Sequence, residues 1–110
     1  MDYLPLAVDV KNKHCLLVGG GTVARRKAEL LLRAGATLTV VAPEIESVLA
    51  ERVRSTGGDC IYAEYSADHL ANMHLIVAAT NQTDVNQQIS NDCMARKLLV
   101  NVVDAPALCN

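Results

Sequence analysis

Residues 14–43, HCLLVGGGTVARRKAELLLRAGATLTVVAP, decide the fold of this chain. An apolar run, Cys15 to Val18, meets three consecutive glycines, Gly19, Gly20 and Gly21, followed by Thr22, Val23 and Ala24. A short, unbroken apolar run is what a parallel strand covered on both faces requires. Gly19 lets the chain turn sharply out of that strand, because glycine reaches backbone angles closed to other residues. Gly21 leaves room for a pyrophosphate against the backbone, and Ala24 takes the third small position, where helix must pack closely on strand. The spacing is the G-x-G-x-x-A form of the dinucleotide fingerprint. N–H groups opening the next helix, with about half a unit of positive charge from its dipole, favour an anion there. The alternative is a glycine turn with no ligand, but three adjacent glycines weaken a structure unless something needs the space.

Outward from the loop, the helix is expected from Thr22 to Ala34. Ala24, Ala28, Leu31 and Leu32 share its inner face, and Gly35 suits the left-handed position past its last turn. Leu38 to Val41 reads as the second strand. A second helix over 45–55 would turn Ile45, Val48, Leu49 and Val53 inward, and Gly57-Gly58 would end it. Cys60 to Ala63 is a third strand, Ser66 to Leu70 a helical turn or loop, and Leu75 to Ala79 a fourth strand. Thr83 or Asp84 can cap a third helix reaching Arg96, with Gln87 as capping-box partner of Asp84 and Val85, Ile89 and Cys93 inward. Leu98 to Val103 is a fifth strand, and Leu4 to Val8 an extra strand or extended segment.

Alternating strands and helices imply an α/β fold: a Rossmann-like, doubly wound parallel sheet of order 3-2-1-4-5 in three α/β/α layers. At 110 residues the chain suits one domain, read here as a dinucleotide-binding unit over 1–110. In such a sheet, ligands bind at the carboxyl ends of the strands near the switch point. Four segments then meet on one edge: Gly19 to Val23, Ala42 to Glu44, Thr80 and Asn81, and Asp104.

Composition excludes several function classes. The net charge of −2 gives no basic footprint for nucleic acid, and 3% aromatic residues leave no stacking platform for bases. No apolar run spans a bilayer, and the N-terminus lacks a signal-peptide pattern, so a cytoplasmic protein without a membrane partner is expected. Cys15, Cys60, Cys93 and Cys109 show no C-x-x-C spacing, and His14, His69 and His74 do not group with them, so no protein-bound metal is expected.

An NAD-specific fingerprint usually places an acid about twenty residues past the glycines, for the ribose hydroxyls. Here the first acid is Glu44, beyond Pro43. Either Glu44 reaches back, or backbone groups near Pro43 and Glu44 hold the ribose. Glu44 could equally be a first-turn acid of the next helix. No arginine follows the strand to clamp the extra phosphate of NADP, which favours NAD.

LLVGGGTVARRKAELLLRAGATLTVVAPE, then LIVAATNQTDVNQQIS and NVVDAP, together resemble the N-terminal domain of siroheme synthase, in matching order from about Tyr3 to Pro106. That domain is a precorrin-2 dehydrogenase and sirohydrochlorin ferrochelatase. The resemblance implies NAD-dependent dehydrogenation of precorrin-2 to sirohydrochlorin, followed by entry of ferrous iron, a substrate, to give siroheme. It implies that Thr22, Val23, Pro43 and Glu44 contact NAD beside Gly19, Gly20 and Gly21, and that Asp104 in NVVDAP is the catalytic aspartate. Thr80 and Asn81 sit where such a loop flanks the nicotinamide. Hydride removal releases a proton, and metal insertion displaces protons from two pyrrole nitrogens, so both steps need an acceptor that a carboxylate can be. On the residues alone, Asp104 could instead be a turn residue before Ala105-Pro106. The resemblance also implies that this chain is the N-terminal piece of a longer enzyme whose further segments supply homodimer contacts and most of the tetrapyrrole pocket. The competing class is a non-catalytic NAD-sensing module, which would have no use for NVVDAP.

Overall fold

The computed structural model describes residues 9–103. The elements are β1 His14–Val18, α1 Thr22–Arg33, β2 Thr37–Val41, α2 Ser47–Ser55, β3 Asp59–Ile61, a 3₁₀ turn Ala67–Leu70, β4 Leu75–Ala78, α3 Thr83–Ala95 and β5 Leu99–Val102. The five strands form one all-parallel sheet of order β3-β2-β1-β4-β5, as the alternation of elements predicts. The expected segment Leu4 to Val8 lies outside the described residues.

Strand alternation splits the core between the two faces of the sheet. Cys15, Leu17, Leu38, Val40 and Val77 face Ala24 and Ala28 of α1 and Leu49 and Val53 of α2. Leu16, Val18, Val41, Ile76 and Ala78 face Leu70 and, from α3, Ile89 and Cys93. Cys15, Leu16 and Leu17 are fully buried, which accounts for the uninterrupted apolar reading of β1. Leu31 and Leu32 pack at the margin of the first core, and Gly35 adopts φ +89° past the end of α1.

Two local expectations need correction. Val48 is 58% exposed rather than inward. Helix α2 starts at Ser47, and its buried stripe is Leu49, Ala50 and Val53. At about 100° per residue, Val48 falls roughly opposite that stripe. Ile45 does pack against the core, but from the loop before the helix. The capping box at α3 does not form either. The helix is entered through Gln82, without a side-chain cap, and Gln87 Nε2 donates instead to Asn91 Oδ1 at 3.0 Å. The Thr80 hydroxyl accepts the Gln82 N–H at 3.1 Å, which sets the chain on its helical course before Asp84 is reached.

Candidate functional site: a cleft across the strand tips

The carboxyl ends of β1, β2 and β4 are tied by backbone bonds running just past the strands. Gly19 N–H donates to Val41 O at 3.0 Å, Ala79 N–H to Val18 O at 2.8 Å, and Val103 N–H to Ala78 O at 2.9 Å. A cleft of about 960 Å³ opens over these tips. Its walls include Gly19, Gly20, Gly21, Thr22 and Val23 from the first loop, Pro43 and Glu44 from the second, and Thr80 and Asn81 from the fourth. All nine residues expected to hold a cofactor therefore line one cavity, although they span more than half the chain. Asp104, the tenth expected site residue, lies outside the described residues; its sequence neighbour Val103 lines the cleft.

The three glycines have three different reasons to be glycine. Gly19 has φ +133°, and a Cβ there would run into the carbonyl oxygen of Ala79. A Cβ on Gly20 would overlap the carbonyl oxygen of Glu44, because the Pro43–Glu46 segment is laid directly on the loop and Glu46 N–H donates to Gly20 O at 2.8 Å. Gly21 has nothing within 4 Å of where its Cβ would be. The first two glycines let backbone meet backbone. The third leaves open space at the entrance to α1.

That entrance suits an anion. Gly21 occupies the N-cap position in extended conformation, no side chain caps the helix, and its first turn carries no acid. The twelve-residue α1 therefore directs first-turn N–H groups and the positive end of its dipole at the vacant face of Gly21. A dinucleotide pyrophosphate fits this combination: a bare backbone to approach and donors to receive it.

Charge along the described lining is one-sided. It carries Glu44, Glu46 and Glu64 and no lysine, arginine or histidine. Glu44 is exposed beside the loop. Glu46 was not singled out by sequence, yet it is tied more closely to the glycine loop. Its Oε2 accepts a long bond from Thr22 Oγ1 at 3.4 Å, and its Oε1 lies 3.8 Å from Arg25 Nε. That Oε1 is shielded from solvent without a hydrogen-bond partner. The Arg25 pair is half open to water and contributes little to stability. The sequence signal for Glu46 was a second acid two residues past Glu44.

Asn86 was missed as well. It lies on the inner stripe of α3 and is 6% exposed, the one buried polar side chain among the described residues. Its Oδ1 accepts the Thr80 hydroxyl at 2.7 Å and the Thr80 N–H at 3.2 Å, and its Nδ2 donates to Thr80 O at 3.1 Å. On the cleft wall, Tyr65 O–H donates to Asp92 Oδ2 at 2.7 Å, and burial, reinforced by that carboxylate, pushes the phenol well above its ordinary range. Burial likewise raises the thiols of Cys15 and Cys93, which fill core positions, and that of partly buried Cys60. Cys109 lies outside the described residues. Among the described residues, no three of His, Cys, Asp and Glu gather where they could hold a metal ion, and no helix is long and apolar enough to cross a membrane.

Known proteins share both sequence and architecture with this chain. Residues 6–110 match the family described as "Putative NAD(P)-binding". The siroheme synthases of Saccharophagus degradans and Azotobacter vinelandii are each 50% identical over 110 residues, all of this chain. The chain spans about a quarter of those relatives, 24% of each. The solved structure of SirC, a precorrin-2 dehydrogenase, superposes with a TM-score of 0.78 at 31% identity, covering 94% of this chain and 50% of that one. The five-stranded sheet is thus shared with a protein that carries a dehydrogenase name, and the matched sequence extends through the glycine loop, the second loop and the β4 tip.

Proposed function

The chain belongs to the NAD(P)-binding family that its residues 6–110 match, and from that premise we propose that it binds NAD across the strand tips and serves the dehydrogenation of precorrin-2 to sirohydrochlorin. The observation that carries the reading is the cleft itself. Gly21 keeps its backbone bare at an uncapped helix entrance, with Pro43 and Glu44 on one flank and Thr80 and Asn81 on the other. The siroheme synthase and SirC relatives support tetrapyrrole chemistry as the use of that cleft.

Each part of the lining has a task in this reading. Thr22 and Val23 offer the pyrophosphate their first-turn N–H groups. Glu44 accepts from the ribose hydroxyls, and Glu46, whose Oε1 has Arg25 nearby but accepts no hydrogen bond, is the second acceptor at the same end. Three carboxylates in the lining, of which only Glu46 has a cation beside it, disfavour a 2′-phosphate, so NAD is preferred over NADP. Thr80 and Asn81 bound the nicotinamide end. Bound NAD supplies the hydride acceptor.

Asp104 is the proton acceptor of this proposal. Oxidation of the macrocycle gives up a hydride and a proton, and a carboxylate next in sequence to cleft-lining Val103 is the acid–base group for the proton. The same carboxylate would accept protons displaced from pyrrole nitrogens as ferrous iron, a substrate, enters the ring. The test is Asp104→Ala in the complete enzyme. The variant should bind NAD as tightly as wild type and lose both dehydrogenation and iron insertion. Wild-type dehydrogenation by Asp104→Ala would remove Asp104 from the mechanism, and failure of the unmodified protein to bind NAD would overturn the reading as a whole.

A further inference from the structure

We infer that Asn86 is a positioning residue for the nicotinamide end of the cleft, acting through Thr80; this rests on the reading of the cleft as an NAD site. A buried amide is costly unless every polar atom is matched. On the inner stripe of α3, between Val85 and Ile89, an aliphatic residue would serve packing better. Asn86 instead engages all three polar groups of one residue. Its Oδ1 accepts the Thr80 hydroxyl and N–H, and its Nδ2 donates to the Thr80 carbonyl oxygen. The Thr80 hydroxyl in turn accepts the N–H of Gln82. One side chain anchored in a helix thereby sets the path of the loop from β4 into α3. Thr80, Asn81 and Gln82 of that loop form the cleft wall on the β4 side of the glycine loop. A mutually satisfied network of this kind selects one loop geometry rather than simply adding stability.

The consequence is asymmetric. The wall made by Gly20, Glu44 and Glu46 is fixed by its own backbone bond and does not involve Asn86. Loss of Asn86 should therefore disturb the nicotinamide end and spare the adenosine end. ADP-ribose, which has no nicotinamide, and NADH separate the two.

The experiment titrates the full 110-residue chain and its Asn86→Ala and Asn86→Asp variants with NADH, followed by nicotinamide fluorescence, and with ADP-ribose, followed by calorimetry. Circular dichroism melts verify folding. Asn86→Ala should bind NADH about tenfold more weakly, the equivalent of one or two hydrogen bonds, with altered emission of the bound nicotinamide and ADP-ribose affinity within about twofold of wild type. Asn86→Asp still accepts from the Thr80 hydroxyl and N–H but turns a carboxylate oxygen on the Thr80 carbonyl where Nδ2 donated, so it should weaken NADH at least as far as Asn86→Ala and again spare ADP-ribose. It carries the same comparison should the alanine variant not fold. Equal weakening of both ligands, or no change in either, would overturn the positioning role. Wild-type protein that binds neither ligand would instead overturn the assignment of the cleft.

Discussion

Gly20 and Gly21 are adjacent, and the structure predicts opposite consequences for replacing them with alanine. In Gly20→Ala the new methyl would overlap the carbonyl oxygen of Glu44, a backbone atom that can yield only if the Pro43–Glu46 segment moves. Moving it breaks the 2.8 Å bond from Glu46 N–H to Gly20 O. Overpacking of this kind costs about 1–3 kcal/mol, and a lost hydrogen bond about 1 kcal/mol more. The sum, about 2–4 kcal/mol, corresponds to a fall in Tm of at least roughly 8 °C for a domain of this size. In Gly21→Ala the methyl meets nothing within 4 Å, and the backbone, at φ −100°, is one that alanine adopts freely. Stability should fall by no more than about 1 kcal/mol, because alanine is a poorer N-cap than glycine but also restricts the unfolded chain. The same methyl enters the space assigned to the pyrophosphate, so NAD affinity should fall by about tenfold or more. Thermal melts and NADH titrations of both variants read the two effects separately. A Gly20→Ala protein as stable as wild type, or a Gly21→Ala protein with undiminished NAD affinity, would refute the division of labour within the triplet.

Other consequences are open to measurement. Tyr65 donates to Asp92, and its phenol titrates above its ordinary range when folded. The folded state therefore holds that proton more tightly than the unfolded chain, so the contribution is complete below pH about 10 and disappears as pH rises through the folded value. Urea melts at pH 7 and above pH 10 should show Tyr65→Phe less stable by about 1–2 kcal/mol at neutral pH, with the difference shrinking in alkali. At the other end of the cleft, replacing Glu44 and Glu46 together by glutamine removes two carboxylates from a lining without cations. NADP affinity should rise relative to NAD by about tenfold, and unchanged discrimination in competitive titrations would place selectivity elsewhere.

Much of this architecture is legible in the chain because few alternatives satisfy the same residues. Cys15 to Val18 reads as a strand buried on both faces, and the glycines, Ala24 and Ala28 point to the helix that lies against it. The sheet order then brings Gly21, Glu44 and Thr80 together without any local signal linking them. What escapes the sequence depends on contacts between distant segments. The dinucleotide fingerprint leaves its second position unspecified, so the need for Gly20 becomes visible only when the carbonyl of Glu44 is seen above it. Glu46 looks like one acid among several until its backbone bond to Gly20 is known. Asn86 did carry a legible anomaly, an amide at helical spacing among Val85, Ile89 and Cys93, but its partner Thr80 lies in a loop whose course the amide itself sets. Val48 misled because an apolar residue one place before Leu49 passes for part of a stripe until the start of the helix is fixed at Ser47.

The central claim, that NAD lies across the strand tips against the bare face of Gly21, is tested most directly by an amide NMR titration of ¹⁵N-labelled protein with NAD. Saturable shifts should concentrate at Gly19 to Val23, Glu44 to Glu46 and Thr80 to Gln82. Shifts clustered instead in the groove between α1 and α2, around Leu30 and Val48, or none at millimolar NAD, would contradict the account.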